Sequence, residues 1–242
     1  MLNTLINMIY PPRCIICDSV LKVGEKMLCP DCRDKLTYIE EPTCLCCGRE
    51  IQDDEEFCEN CVGRVLPYDC GKSVLLYDEN MKNSVSKFKY HGRQEFAISY
   101  AKIIYDRLYD WISDLNAEVL IPVPAHKSRL KKRGYNQAAL IASELSKLTK
   151  ISTIDDFLIR TKKTERQKEL NAEERRNNLS GAFELNPIYF KKFGENSEEI
   201  FGSAIIVDDI FTTGSTMEEC ASVLRKIGVR NIYFICLCST MI

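Results

Sequence analysis

The chain has few histidines, no long apolar run and almost no net charge. Its 242 residues include only two histidines, and its formal net charge is −2. The apolar runs are far shorter than the roughly 20 residues that a membrane-spanning helix needs, which excludes such a span. Residues 1–12 lack a basic segment ahead of an apolar one, so we expect no secretory signal, no membrane insertion and a cytoplasmic location.

Cysteine, in contrast, is abundant and concentrated near the start of the chain. The thirteen cysteines include four Cys-x-x-Cys pairs, namely Cys14/Cys17, Cys29/Cys32, Cys44/Cys47 and Cys58/Cys61. Four thiolates bind one Zn²⁺ in a tetrahedron, so these eight residues predict two structural zinc sites. Disulfides and redox pairs are the alternatives, and the expected cytoplasmic location disfavours disulfides. The pairs form an internal repeat in which each half closes its own site, although a cross-braced pairing would use the same ligands.

The cysteine pattern divides the chain into two domains. We assign residues 1–66 to a double zinc-ribbon domain and residues 67–242 to a second domain. Residues 1–70 hold seven Lys or Arg and thirteen Asp or Glu, a formal charge of −6, and the remainder carries +4. Each four-thiolate zinc centre adds a further −2. An acidic ribbon domain is a poor phosphate-binding module for nucleic acid, and we expect it to contact protein.

The second domain alternates predicted strands and helices. The strands are expected at residues 73–77, 119–124, 157–159, 204–207 and 232–237, and the helices at 80–88, 94–112, 136–148 and 215–227. This order indicates an α/β fold with a doubly wound parallel sheet that has helices on both faces.

One strand–turn–helix segment predicts a ligand site. The apolar residues 204–207 lead into Asp208 and Asp209, and a hydroxyl- and glycine-rich turn precedes the helix. Open α/β sheets bind ligands beyond the carboxyl ends of their strands. Amides at a helix N-terminus suit a phosphate, and the two carboxylates can accept hydrogen bonds from vicinal sugar hydroxyls. The turn residues are Thr212, Thr213, Gly214, Ser215 and Thr216. The segment therefore predicts a ribose 5-phosphate site; the alternative is an ordinary junction with acidic cap residues.

This segment resembles the binding signature of type I phosphoribosyltransferases, which recognise 5-phosphoribosyl 1-diphosphate (PRPP). A basic segment that follows the strand at 119–124 suits the pyrophosphate of PRPP, and a solvated basic loop is the alternative. Its candidate residues are Pro124, Ala125, His126, Arg129, Lys132, Arg133 and Asn136. We assign no catalytic role to either His91 or His126.

A second basic segment, residues 160–178, resembles the mobile loop that closes over the pyrophosphate in these enzymes. The residues expected to act there are Thr164, Gln167 and Arg175. A solvated helix face is the other interpretation of this segment.

The combination of features resembles the ComF/GntX family, known from bacterial DNA uptake. The marks that carry this resemblance are the double zinc ribbon, the acidic-pair segment, residues 88–93, residues 129–138, and Thr164, Gln167 and Leu170 with Arg175 and Asn178. The resemblance implies a flavodoxin-like sheet of the type I phosphoribosyltransferase fold. It also implies Asp208 and Asp209 on the ribose, residues 212–216 on the 5-phosphate, and Mg²⁺ bridging the diphosphate.

The chain departs from the purine-salvage relatives at one position. Those enzymes often carry an acidic residue where Thr212 stands, and here no carboxylate follows Asp209 until Glu218. A hydroxyl is a poor general base at neutral pH. We therefore expect a competence protein that binds PRPP and handles single-stranded DNA or a DNA-uptake protein partner. The alternatives are an active phosphoribosyltransferase and a zinc-ribbon interaction module.

Overall fold

A parallel sheet forms the centre of the second domain. The computed structural model describes residues 11–162, 181–189 and 201–241. Within them, the sheet has five strands in the order β1-β7-β6-β2-β3. They are β1 (Cys70–Leu76), β2 (Val119–Pro122), β3 (Ser152–Thr153), β6 (Ser203–Phe211) and β7 (Asn231–Ser239). Two further strands, β4 (Leu158–Arg160) and β5 (Phe183–Leu185), form a separate antiparallel pair.

Helices pack on both faces of this sheet. They are α1 (Glu79–Tyr90), α2 (Phe96–Asp114), α3 (Lys127–Arg133), α4 (Gln137–Thr149) and α5 (Ser215–Lys226). Along β6 the side chains alternate, since Ile205 and Val207 join the buried cluster of α1 and α2 while Ala204 and Ile206 join that of α5. None of the helices in the described part of the chain is long and apolar enough to span a membrane. The predicted α/β class is confirmed.

Three predicted elements differ from the structure. The strand expected to end at residue 207 continues to Phe211, so Asp208 and Asp209 lie within β6 and not beyond it. The strand expected at 157–159 pairs with β5 instead of joining the main sheet. The basic segment after β2 is not an open loop, because its centre is helix α3, which ends at Gly134 in the left-handed conformation.

The zinc-ribbon segment repeats one backbone turn thirty positions apart. The amide of Cys14 bonds to the carbonyl of Ser19 at 2.9 Å, and that of Cys44 bonds to the carbonyl of Arg49 at 2.7 Å. The residue after each second cysteine, Asp18 in one repeat and Gly48 in the other, has φ near +68°. We call these two turns the first and the second knuckle.

The segment between the two repeats closes one edge of the sheet. Strand β1 is an edge strand, and Tyr38 forms an antiparallel bridge to its Leu75. The amide of Ile39 bonds to the carbonyl of Val74 at 3.0 Å, and the amide of Leu76 bonds to the carbonyl of Thr37 at 2.8 Å. Residues 37–39 therefore satisfy backbone groups that an open edge would expose.

Candidate functional site

The turn between β6 and α5 presents backbone amides at the carboxyl edge of the sheet. Gly214 is the N-cap of α5 and has φ +84°, a conformation that favours glycine. A Cβ there would also lie 3.2 Å from the ring of Phe211. The hydroxyls of Thr213 and Ser215 are 2.9 Å apart and hold the turn together. The first amides of a helix have no partner within it, so this turn suits an anionic group.

The two carboxylates before the turn point to opposite faces of the sheet, because successive side chains alternate along a strand. Asp209 is buried on the face of α1, where its Oδ2 lies 2.7 Å from Nζ of Lys89. This is a close ion pair, although its angle does not make a well-aligned hydrogen bond. Burial opposes the charged form of Lys89, but the interactions with Asp209, followed by those with Asp208 and Tyr77, together raise the pKa of Lys89.

Asp208 is half-buried on the opposite face of the sheet. Burial, followed by the charge of Asp209, raises the pKa of Asp208 to about 7. The cations Lys89 and Arg160 and the amide of Asp209, which donates to Oδ1 at 2.8 Å, act in the opposite direction. Arg160 stands over the ring of Phe183 at 5.2 Å, and burial and Arg129 lower its own pKa to about 10. Asp208 is therefore a carboxyl that ionises near neutral pH.

The basic segment after β2 leaves the sheet directly beside the acidic pair. Pro122 pairs with Val207, and the amide of Val123 bonds to the carbonyl of Val207 at 2.9 Å. This is where the strand order reverses between β2 and β6, the position at which open α/β sheets bind ligands. Pro124 is buried and Ala125 is half-buried at this position.

The remaining residues of the basic segment have mainly structural contacts. His126 caps α3 by accepting the amide of Ser128 at 3.2 Å, and Asn136 donates to the carbonyl of Val123 at 2.9 Å. Arg133 stacks on Tyr90 at 4.7 Å and donates to its hydroxyl. Lys132 is exposed, whereas Arg129 is half-buried. The predicted loop residues Thr164, Gln167 and Arg175 lie outside the described residues.

Each cysteine repeat closes a site of its own. The sulfur atoms of Cys14, Cys17, Cys29 and Cys32 lie within 4.8 Å of one another, as do those of Cys44, Cys47, Cys58 and Cys61. The Cys17–Cys29 and Cys47–Cys58 sulfur pairs are 3.6 Å apart. A tetrahedron with Zn–S bonds of about 2.3 Å has edges of about 3.8 Å, so both sites fit Zn²⁺. The prediction of two zinc sites with one per repeat is confirmed, and the cross-braced pairing is excluded.

Two arginines of the second ribbon contact residues on either side of the turn at 212–216, which we call the phosphate turn, and neither was predicted from the sequence. Buried Arg49 stands over the ring of Phe211 at 4.9 Å and donates to the hydroxyl of Ser239 at 3.3 Å. Arg64 forms a 2.8 Å ion pair with Glu218 in the first turn of α5. The sequence offers one signal for them, which is that no other basic residue occurs between Lys35 and Lys72.

The comparisons with known proteins agree with this architecture. A double zinc ribbon domain matches residues 5–62, and a phosphoribosyl transferase domain matches residues 130–242. The fold and its two cysteine clusters thus define an α/β protein of the type I phosphoribosyltransferase fold with an N-terminal double zinc ribbon.

Its relatives identify the family. The chain is 32% identical to Competence protein F of Haemophilus influenzae over 91% of its own length and 93% of that protein. It is 28% identical to Competence protein ComFC of Bacillus subtilis over 89% of both chains. It is 26% identical to DNA utilization protein YhgH of Escherichia coli K12 over 96% of its own length and 98% of that protein. The chain belongs to the ComF family.

Proposed function

We propose that this chain is a competence protein that binds PRPP in its α/β domain and acts in DNA uptake, where it handles single-stranded DNA. The observation that carries the proposal is the meeting of three elements at the switch point of the sheet: the phosphate turn, the acidic pair and the basic segment after β2. The names of the relatives, two competence proteins and a DNA utilization protein, support the biological role.

The turn and the acidic pair would each bind a different part of the ligand. The amides of residues 212–216 bind the 5-phosphate, while the carboxylates accept hydrogen bonds from the ribose hydroxyls. Lys89 fixes the position of Asp209, which leaves Asp208 as the carboxylate that responds to the ligand. The pKa of Asp208 is about 7. A diol that donates to the ionised carboxylate stabilises that form and therefore lowers this pKa.

Magnesium would enter with the diphosphate. Mg²⁺ prefers hard oxygen ligands and keeps several waters, and substrate phosphates usually supply part of its shell. The carboxylates of Asp208 and Asp209 and the hydroxyls of the turn fit this chemistry. The ion would neutralise part of the diphosphate charge, while the protein orients the ribose.

Calorimetry with PRPP and Mg²⁺ tests the site without assuming an acceptor. We expect binding that Asp208→Asn weakens by about tenfold or more, the equivalent of about 1.4 kcal/mol. Asp110→Asn, at an exposed position on α2, is the matched control and should bind like the parent. Equal binding by parent and Asp208→Asn would refute the assignment of the acidic pair.

The exposed lysines of α3 are the candidate contacts to single-stranded DNA. Lys127, Lys131 and Lys132 are all exposed at the edge where the ligand site lies. Fluorescence anisotropy with a labelled oligothymidylate should show binding that weakens steeply with salt, because phosphate contacts release counterions. Replacing Lys131 and Lys132 by Glu should lower the affinity and the salt slope, whereas Lys102→Glu on α2 should change neither. Binding independent of salt would contradict a phosphate-contact mode.

An active phosphoribosyltransferase is the second candidate, and Glu218 is the observation that favours it. This carboxylate lies next to the phosphate turn, with Oε1 3.4 Å from the position of a Cβ on Gly214, and Arg64 keeps it paired. The reaction would form a bond from a nitrogen acceptor to ribose C1 and break the bond from C1 to pyrophosphate. Acceptor-dependent release of pyrophosphate, lost in Glu218→Gln, would establish it. No release across a broad panel of bases would eliminate it.

A further inference from the structure

The two knuckles can be compared residue by residue because they share a backbone. Arg13 bridges Val20 in the first repeat as Thr43 bridges Glu50 in the second, and each pair lies thirty positions from the other. Ile15, the residue after the first cysteine, therefore corresponds to Leu45. Any difference in exposure between these two positions comes from what packs on each knuckle.

Helices of the second domain cover the first knuckle. Ile15 is fully buried and belongs to the same cluster as Val85 and Phe88 of α1. Lys87 of the same helix donates from Nζ to the carbonyl of Ile16 at 2.8 Å. Arg93, just after α1, contacts Asp18 at 2.8 Å. The cover of this knuckle is thus an amphipathic helix with apolar residues at the centre of the contact and basic residues at its margin.

The equivalent surface of the second knuckle is open. Leu45 is 62% exposed, Phe57 41% and Val62 61%, and each is the chain neighbour of a cysteine of the second zinc site. The amide of Leu45 bonds to the carbonyl of Glu56 at 3.0 Å, which holds Leu45 beside Phe57. We call the surface formed by Leu45, Phe57 and Val62 the acidic knuckle face. Large apolar side chains that are exposed together around one zinc site favour an interaction surface.

The margin of the acidic knuckle face is mainly negative, since the nearby Arg64 is paired with Glu218. No lysine or arginine occurs between residues 50 and 63, and the four-thiolate zinc centre adds a formal −2. The exposed carboxylates of this stretch are Asp53, Asp54, Glu55, Glu56 and Glu59. Such a margin repels the phosphates of nucleic acid and attracts lysine and arginine side chains.

We propose that the acidic knuckle face binds a basic amphipathic helix of a partner protein, in the way that α1 covers the first knuckle within the chain. Apolar residues of the partner helix pack on Leu45, Phe57 and Val62, and its flanking Lys or Arg side chains meet the carboxylate margin. The proposal deepens the protein-partner part of the proposed function and requires no PRPP. Its failure would therefore leave the PRPP site untouched, and the reverse also holds.

Designed peptides test this proposal with the full, zinc-loaded chain. The probe is a synthetic amphipathic helix of roughly 18 residues, with a leucine stripe flanked by lysines, and its two counterparts carry glutamine or glutamate at the flanks. We expect the lysine peptide to bind most tightly and the glutamate peptide least. Amide chemical-shift changes should concentrate in residues 44–47 and 55–62. Equal binding of the lysine and glutamate peptides, or shifts confined to other surfaces, would overturn the proposal.

Substitutions locate the contact and control for folding. Leu45→Asp should weaken binding of the lysine peptide by about tenfold or more, whereas Val23→Asp, at an exposed apolar position of the first ribbon, should leave it unchanged. Glu55→Lys with Glu56→Lys should reverse the preference so that the glutamate peptide binds more tightly. Each variant is used only when it retains two Zn²⁺ per chain. Unchanged affinity in Leu45→Asp, or an oligothymidylate that displaces the lysine peptide from these amides, would contradict a helix-binding face.

Discussion

The two zinc ribbons repeat one backbone turn, and the first is covered by helices where the second is open. Ile15 is buried in the core of the second domain, whereas its counterpart Leu45 faces solvent. Three residues further on, the first knuckle carries Asp18, held by Arg93, while the second carries Gly48, packed on β1. The role of each ribbon thus depends on what surrounds its knuckle, because the ligand set is the same in both.

The ribbons also reach different faces of the sheet. The first belongs to the cluster on the α1 face, where Lys89 meets Asp209, and the second belongs to the cluster on the α5 face, which holds the phosphate turn. Each half of the acidic pair therefore shares its face of the sheet with one ribbon. Loss of one zinc site should disturb one face more than the other.

Removing one zinc ligand from each ribbon gives the largest expected effect. We expect Cys14→Ser and Cys44→Ser each to reduce the content to one Zn²⁺ per chain and unfold that ribbon, since structural zinc contributes roughly 10–16 kcal/mol to folding. Hydrogen exchange should then rise at the end of α1 in Cys14→Ser and at residues 211–216 in Cys44→Ser. The same exchange pattern in both variants would mean that the ribbons support the sheet as one unit.

Alanine at the left-handed position of each knuckle gives the next largest difference. A Cβ on Gly48 would lie 2.5 Å from the carbonyl oxygen of Gly71 and 2.8 Å from Cα of Lys72, so Gly48→Ala must move backbone and should cost about 3 kcal/mol or more. Asp18→Ala loses the contacts to Arg93 and should cost about 1 kcal/mol. Urea unfolding of the zinc-loaded variants measures both values. A smaller cost at Gly48 than at Asp18 would contradict the packing described for the second knuckle.

The free energy of unfolding should depend on pH through Asp208, which lies on one face of the sheet. Asp208 has a folded pKa of about 7, above the roughly 3.9 of an unfolded Asp, so the folded state holds a proton that the unfolded chain has released. Stability from this group is full below the unfolded pKa and is lost as the pH rises toward 7. Urea midpoints should therefore fall from about pH 6 to about pH 7.5 while zinc stays bound.

Asparagine substitutions assign that pH dependence to one carboxyl. Asp208→Asn should remove the fall in the urea midpoint. Asp209→Asn should move it to lower pH, because the charge of Asp209 helps to raise the pKa of Asp208. A midpoint that falls equally in the parent and in Asp208→Asn would assign the dependence to another group.

The Arg64–Glu218 ion pair should give the smallest effect. Its side chains are 31% and 16% exposed, so solvent screens much of the attraction, and a double-mutant cycle should give about 0.5–1 kcal/mol. The same cycle on the exposed Lys82–Glu79 pair of α1 is a control that should give less. A coupling near zero would show that this contact does not link the second ribbon to α5.

The zinc sites and the sheet class were predictable because their signals are local. A Cys-x-x-Cys turn needs only its own residues to form, and the apolar run of β6 identifies a buried strand. The end of α5 was equally local, since the helix expected over 215–227 ends at Lys226 and is followed by Gly228 with φ +92°. These features depend on short-range geometry that a sequence displays directly.

The environment of the acidic pair was not predictable in the same way. Two adjacent carboxylates indicated the end of a strand, yet β6 stays paired with β7 through them as far as Phe211. Lys89 of α1 and Arg160 of β4 act on the two carboxylates there. Lys89 precedes Asp209 by more than a hundred positions, and no pattern in the sequence connects them. The contacts of Arg49 with Phe211 and of Arg64 with Glu218, on either side of the phosphate turn, have the same long-range origin.

Residues 37–39, which close the edge of β1, have a consequence for how the chain folds during synthesis. The permanent neighbour of β1 is β7, and Cys70 pairs with Tyr233, so this partner is synthesised long after β1 itself. The segment at 37–39 is already present when β1 emerges, and the zinc ribbons on either side of it need only local ligands to form. The double ribbon thus gives β1 an early pairing partner on its outer edge, so that only the edge that later pairs with β7 stays open to other nascent chains.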